Sequence, residues 1–236
     1  YQRRVRGPMQ VTINQKQVQL HFQPDISVEQ FKPLLESFKP FNEWVQNIDK
    51  KLEVKQIYVQ SVDLFGKRIG FLKIKAEIIN TEDNKPIPGI IFFRGDAVAI
   101  LPLIQTPTQN WIMLTQQFRA PLGRKLLEIP AGMCDGDGNF SGVAIKELEE
   151  ETGMHLNAKQ LFDLGSFVPS AGGCDERIHL FGLKIEKTDE EVQEMQKHIY
   201  GEGEHEVIKL KFVTEQDAWN LEDSKLLIAL ARLQRK

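Results

Sequence analysis

Glu147, Glu150 and Glu151 are spaced for shared chemistry. A helix turns by about 100° per residue, so positions i, i+3 and i+4 gather their side chains on one face. Ala144, Ile145, Leu148 and Thr152 fall on another face and would pack against a core, while Glu149 points to solvent. An acidic run is ordinarily a solvated helix face. Here the residues four positions after the three glutamates are Glu151, Met154 and His155, so none offers a cation in the favourable place. Like charges crowded this way ask for a positive ion, and an all-carboxylate set suits a hard one such as Mg²⁺ or Mn²⁺.

A second metal pattern fails on inspection. Asp135, Asp137 and Asn139 imitate the opening of a calcium-binding EF-hand loop. That loop needs Gly at its sixth position and Glu at its twelfth, where this chain has Phe140 and Lys146. Ile129-Pro130 also enters as an extended segment rather than a helix.

The stretch Gly132, Gly138 and Lys146-Glu147-Leu148-Glu149-Glu150-Glu151-Thr152-Gly153 resembles the Nudix box of the Nudix hydrolases. The family pattern has Glu where Gly138 stands and Arg where Lys146 stands. Those two residues support the loop–helix geometry by pairing with each other, so losing one while weakening the other is self-consistent. The departures bear on efficiency more than on chemistry.

Further segments are similar to the ADP-ribose and ADP-sugar pyrophosphatases, a subgroup of that family. By residue type alone, Arg119 at a strand end is either a surface charge or a planar fork for phosphate oxygens. The resemblance of Gln117-Phe118-Arg119 to the subgroup places Arg119 on the diphosphate. Leu127-Glu128-Ile129-Pro130-Ala131-Gly132 is similar too, and implies that the Ala131 carbonyl is a metal ligand. Glu128 is a further candidate for the same shell, since a partly buried glutamate in a strand needs a partner. Pro169 stands at the subgroup's spacing after Gly153. The loop that follows it brings Glu176, which either joins the metal shell or pairs with Arg177 or a lysine. Gly201-Glu202-Gly203-Glu204-His205-Glu206 reads by composition as an exposed acidic loop. By resemblance it is the catalytic loop, with Glu204 as the base that activates water and Glu206 as another carboxylate near the metal.

What the resemblance implies is a Mg²⁺- or Mn²⁺-dependent hydrolase cutting the diphosphate bridge of ADP-glucose or ADP-ribose. Glu147, Glu150, Glu151 and Ala131 would hold metal, with Glu147, Glu151 and Glu204 in the reaction itself. The alternative is a catalytically weak Nudix-fold sensor that binds a nucleotide sugar, favoured by Gly138 and Lys146 and opposed by the retained glutamates.

The elements that must position these residues are legible in outline. Val11–Phe22 alternates around Asn14-Gln15 as a hairpin. Ser27 and Gln30 form a capping-box signal for a helix carrying Phe31, Leu34, Leu35 and Phe38, interrupted by Pro33 and closed by Pro40. A second helical run carries Phe41, Trp44, Val45, Ile48 and Leu52. Strands at 54–64 and 70–79 precede the polar, turn-rich segment Thr81–Gly89, which marks a boundary. Residues 1–86 thus read as a smaller β-rich domain and 87–236 as an α/β domain. In the latter, strands at 90–93, 97–105, 111–117, 126–129, 161–168, 178–185 and 207–213 form a mixed sheet. The Nudix resemblance implies an α/β/α sandwich for it, closed by a helix through Leu226, Leu227, Leu230 and Leu233. For the first domain it implies a homodimerisation role, with residues lent to the partner's base pocket.

With 236 residues, 41% hydrophobic and 27% charged, the chain is ordinary for a globular protein. A net charge of −3 argues for neither a nucleic-acid nor a membrane surface, and no apolar run reaches membrane-spanning length. Two cysteines, Cys134 and Cys174, are too few for a disulfide scaffold. The start at Tyr1 reads as the loss of an upstream segment, removed by the cell or by cloning. Over the first eighty or so residues the likeness is loosest, leaning to plant plastid enzymes. That implies a transit peptide and a chloroplast location, with the cytoplasm as the alternative.

Overall fold

The computed structural model describes residues 9–24, 26–134, 138–200 and 207–235. They divide into two compact units, the first holding the described residues up to Gly95 together with Ser170–Glu176, the second the remainder.

In the first unit, β1 (Met9–Ile13) and β2 (Lys16–Phe22) form the expected hairpin, its turn made by Asn14 and Gln15 at positive φ. Next come α1 (Val28–Ser37) and α2 (Lys39–Asn47), which supply the crossover that the parallel pairing of β2 with β3 (Leu52–Phe65) requires. Three details differ from expectation. The Ser27 side chain makes no capping bond, and Pro33 is accommodated inside α1. Pro40 does not close the first helix but sits in the first turn of α2, where its missing N–H costs nothing. The sheet continues with β4 (Arg68–Asn80), β5 (Lys85–Ile87) and β6 (Ile90–Phe93), the last two both pairing antiparallel with β4. Strand 90–93 therefore belongs to this sheet and not to the second one. The turn-rich stretch before it is a hairpin connection, and the unit extends past residue 86 to Gly95. Phe31, Leu35, Phe41, Ile57, Leu72, Ile74 and Phe93 fill the space between this sheet and its two helices.

The second unit is built on β7 (Ala97–Gln105) and β8 (Asn110–Arg119), which pair only over Leu103–Gln105 and then part. Into the gap come β9 (Arg124–Glu128), bonded to β8, and β10 (Ala131–Met133), bonded to β7. Splitting two strands and seating the next two between them carries the chain from Arg119 to Ala131 across the middle of the sheet. On the outer sides lie β11 (Phe162–Phe167), β12 (Ile178–Glu186), β13 (Ile199–Tyr200) and β14 (Ile208–Val213), in the order β11-β12-β7-β8-β14-β13. Strand β12 runs parallel to β7 and the other pairs are antiparallel, giving the mixed sheet expected. Helix α3 (Phe140–Thr152) covers one face through Ala144 and Leu148, with Val192 of α4 (Asp189–Met195) in the same core. Beyond the short α5 (Glu215–Ala218), α6 (Ser224–Leu233) covers the other face through Leu226, Ala229 and Leu230. This is an α/β/α sandwich.

No helix among the described residues is long and apolar enough to cross a membrane.

Candidate active site

Helix α3 has the bounds its sequence asks for. The Asn139 side chain caps it by accepting the Gly142 N–H at 3.1 Å, and Gly153 ends it in the left-handed conformation, φ 70°. Just ahead, Gly138 has φ 76°, where a side chain would strain the backbone. That is a physical reason for glycine at a position where the Nudix pattern has Glu.

Strand β10 runs against the glutamate face of this helix. A Cβ at Gly132 would overlap the Glu147 carboxyl group, so the close approach needs glycine. One residue back, the Ala131 N–H donates to Glu151 Oε2 at 3.2 Å. The bonds to β7 are made on either side, by the Pro130 carbonyl to Ile100 N–H and by Cys134 N–H to the Asp96 carbonyl. Antiparallel alternation then turns the polar groups of Ala131 away from β7, leaving its carbonyl outside that ladder.

Glu151 is buried, at 5% exposure. Burial foremost, then the neighbouring Glu147 charge, lifts its pKa to about 8, with Glu128 adding to the rise; the Ala131 N–H and Arg119 oppose it. The donors here are hard oxygens, two carboxylates and a backbone carbonyl, so the site fits a divalent metal of the Mg²⁺ class.

The three glutamates are not equally placed. Glu150 pairs with Lys146, one turn earlier, at 3.1 Å. No Lys or Arg follows the three glutamates by four positions, as the sequence shows; the cation that pairs with Glu150 precedes it by four instead. Among the described residues no three acidic, His or Cys side chains form a ready metal cluster. Glu149 binds His155 at 3.0 Å.

At the end of β8, Arg119 donates Nε to Glu128 Oε1 at 2.7 Å, and its Nη2 closes on the same oxygen. Glu128 is buried at 2%, so the partner that the sequence demanded is Arg119, joined by Lys225 at 3.3 Å from Oε2. Sequence reading missed Lys225 and its neighbour Asp223. Asp223 directly before an apolar helical run was a legible N-cap signal; the reach from Lys225 to Glu128 was not. Gln117, on β8 two residues before Arg119, is buried with no hydrogen-bond partner for Nε2 among the described residues.

Pro169 is exposed just beyond β11, in the second unit. Glu176 lies in the first unit, 3.3 Å from Arg94 Nε. Beside it, Asp175 accepts the Arg94 and Gly95 N–H groups, and Cys174 bridges to Phe92. These contacts with the end of β6 are why the Ser170–Glu176 loop groups with the first unit. Glu204 and Glu206 lie outside the described residues, as do Asp135 and Asp137. Neither cysteine is in a disulfide, and burial foremost pushes the Cys174 thiol pKa up.

Comparison with known proteins agrees with this fold. A family profile described as the NUDIX domain matches residues 93–230. Nudix hydrolase 14, chloroplastic, of Arabidopsis thaliana is 37% identical over 225 residues, covering 87% of this chain and 72% of that protein. An ADP-ribose pyrophosphatase of Bacillus subtilis is 33% identical over 176 residues, 75% of this chain and 86% of that one. Among solved structures, one described as an ADP compounds hydrolase superposes with a TM-score of 0.59 at 13% identity, covering 80% of this chain and 96% of its own, and shares the fold.

Proposed function

The chain belongs to the Nudix hydrolase family, and from that premise we propose that it cleaves the diphosphate bridge of ADP-sugars, ADP-ribose and ADP-glucose among them, to AMP and a sugar phosphate. The observation that carries this reading is the buried Glu151 beside the half-buried Glu147, against Ala131 and Gly132, with Arg119 close enough to influence Glu151. The names of the relatives support the substrate class, since an ADP-sugar pyrophosphatase of mouse is also 42% identical over 85 residues, 36% of this chain and 39% of that one.

Glu147 and Glu151, Glu150 once released from Lys146, and the Ala131 carbonyl would hold Mg²⁺ or Mn²⁺. When bound, such an ion lowers the pKa of water and offsets charge on phosphoryl oxygens. Arg119, oriented by Glu128, presents its remaining N–H groups to the diphosphate. Glu204 takes a proton from the attacking water; the new P–O bond forms as the bond from that phosphorus to the bridging oxygen breaks. Pro169 contributes to substrate binding, and Glu206 adds a carboxylate to the metal shell.

The first unit, read from sequence as residues 1–86 and extending to Gly95, is proposed to build a homodimer. Leu64, Phe65 and Ile90 in the first unit are exposed apolar residues, at 53%, 43% and 54%, which supports an interface there. Similarity to a chloroplastic hydrolase supports a plastid location. A second reading, a sensor that binds nucleotide sugar without turning it over, is favoured by the Lys146–Glu150 pair.

The test is a turnover panel of ADP-ribose, ADP-glucose, GDP-mannose and FAD, with Mg²⁺ and with chelator, on the wild type and Glu151→Gln. Metal-dependent cleavage of the ADP-sugars that Glu151→Gln abolishes is expected. Binding without cleavage in every condition would leave the sensor.

A further inference from the structure

Glu128 is held from two sides by unlike partners. Both Arg119 contacts, from Nε and from Nη2, fall on Oε1. The other oxygen, Oε2, is taken by Lys225 Nζ at 3.3 Å. Lys225 is in turn fixed by Asp223, whose Oδ1 accepts its backbone N–H at 3.1 Å and its Nζ at 2.8 Å. Asp223, itself 3% exposed, caps α6 and accepts the Ile129 N–H with Oδ2 at 2.9 Å. Charges of alternating sign thus run Arg119, Glu128, Lys225, Asp223, with Glu128, Lys225 and Asp223 all largely sequestered from water.

This matters because an Arg–carboxylate pair left to itself favours the two-bond, fork-to-fork arrangement. In that arrangement both Glu128 oxygens would face Arg119, and the guanidinium would swing in toward the carboxylate. Lys225 prevents it by occupying Oε2. Arg119 is left gripping one oxygen, with the rest of its fork directed elsewhere and its side chain 38% exposed.

We propose that Lys225, anchored by Asp223, is a positioning residue for the diphosphate clamp, holding Glu128 so that Arg119 is oriented toward substrate rather than folded onto its own counter-ion. The inference rests on the proposed role of Arg119. It adds the C-terminal helix to the residues that set the affinity for a nucleoside diphosphate.

The experiment measures ADP affinity without metal, and kcat and KM for ADP-ribose with it. The variants are Arg119→Ala, Lys225→Met, Lys225→Arg, Glu128→Gln and Glu128→Gln/Lys225→Met, each checked by its melting temperature. Lys225→Met should weaken ADP binding and raise KM by about tenfold or more, with kcat changed much less, because the displaced group binds rather than reacts. Lys225→Arg should recover most of the loss. The double variant should bind no worse than Glu128→Gln alone, since the carboxylate that captures Arg119 is then gone. A purely structural Lys225 would give additive losses instead, and that result overturns the inference. So does a Lys225→Met protein that binds ADP like wild type while Arg119→Ala is weakened. If Arg119→Ala itself leaves ADP affinity intact, the clamp assigned to Arg119 fails first, and the inference with it.

Discussion

The Glu151 carboxylate and the Ala131 N–H stand 3.2 Å apart, tying the last turn of α3 to the strand that crosses the centre of the sheet. One N–H does not offset the burial of that carboxylate beside Glu147, which is why its pKa rises to about 8. At neutral pH the metal-free site keeps a proton on Glu151. Ion and proton therefore compete for one group, and this competition is open to measurement.

The stability of the metal-free protein should fall as pH rises. The folded state holds the Glu151 proton more tightly than the unfolded chain, where a glutamate titrates near 4.5. The contribution is complete below about pH 4.5 and is lost as pH climbs through about 8. In chelator, the denaturation midpoint should decline between about pH 5 and pH 8.5, and saturating Mg²⁺ should flatten that decline. An unchanged slope with and without Mg²⁺ would mean that the ion does not bind at Glu151.

Glu151→Gln separates stability from chemistry. The amide imitates the protonated form that burial favours, so the metal-free variant should melt no lower than wild type at pH 8, and its pH slope should shrink. Turnover should drop by about 10³-fold or more through loss of a metal ligand. A variant that melts well below wild type in chelator would show that the ionised carboxylate stabilises the fold.

Gly132→Ala tests the close approach of β10 to α3. The added methyl would overlap the Glu147 carboxyl group, which must swing away or push the strand aside. A stability loss of about 1–3 kcal/mol is expected by urea denaturation, with metal affinity weakened as well. Gly172, whose Cβ would meet nothing within 4 Å, is the control, and Gly172→Ala should leave the midpoint within about 0.5 kcal/mol.

The contrast between these two glycines marks what a sequence discloses. Spacing alone places the helix and its Glu147 face, because those features are local and obey the helical period. The same period also contains the Lys146–Glu150 pair, whose cation lies one turn before its glutamate. Other features depended on partners far along the chain. Ile90–Phe93 is a plain β run whose sheet is decided by register with Leu72–Lys75 of β4. Glu176 follows Pro169 closely, yet neighbouring Asp175 accepts backbone N–H groups from residues some eighty positions earlier, and the pair joins the first unit. Glu128 advertised its need for a partner; that Lys225 would be the second one required the fold of α6 onto the sheet.

A last relation of this long-range kind lies at the other end of α3. The His179 ring stacks on Phe140, the first residue of the helix, with centroids 3.6 Å apart and planes at 16°. His179 Nε2 lies 3.0 Å from Asp96 Oδ2, and the Asp96 carbonyl accepts the Cys134 N–H at 2.8 Å. Strand β12, the residue preceding β7 and the start of the glutamate helix are thus joined at one point. His179→Ala removes both the stack and the hydrogen bond and should cost about 1–3 kcal/mol in urea denaturation. Asp96→Asn, which retains a hydrogen-bonding group, should cost less. Because the joint acts on the first turn of α3, amide exchange should quicken at residues 142–145 while α6 stays protected. Equal acceleration in both helices would instead mark a general loss of stability and deny the joint any local role in holding the glutamates in place.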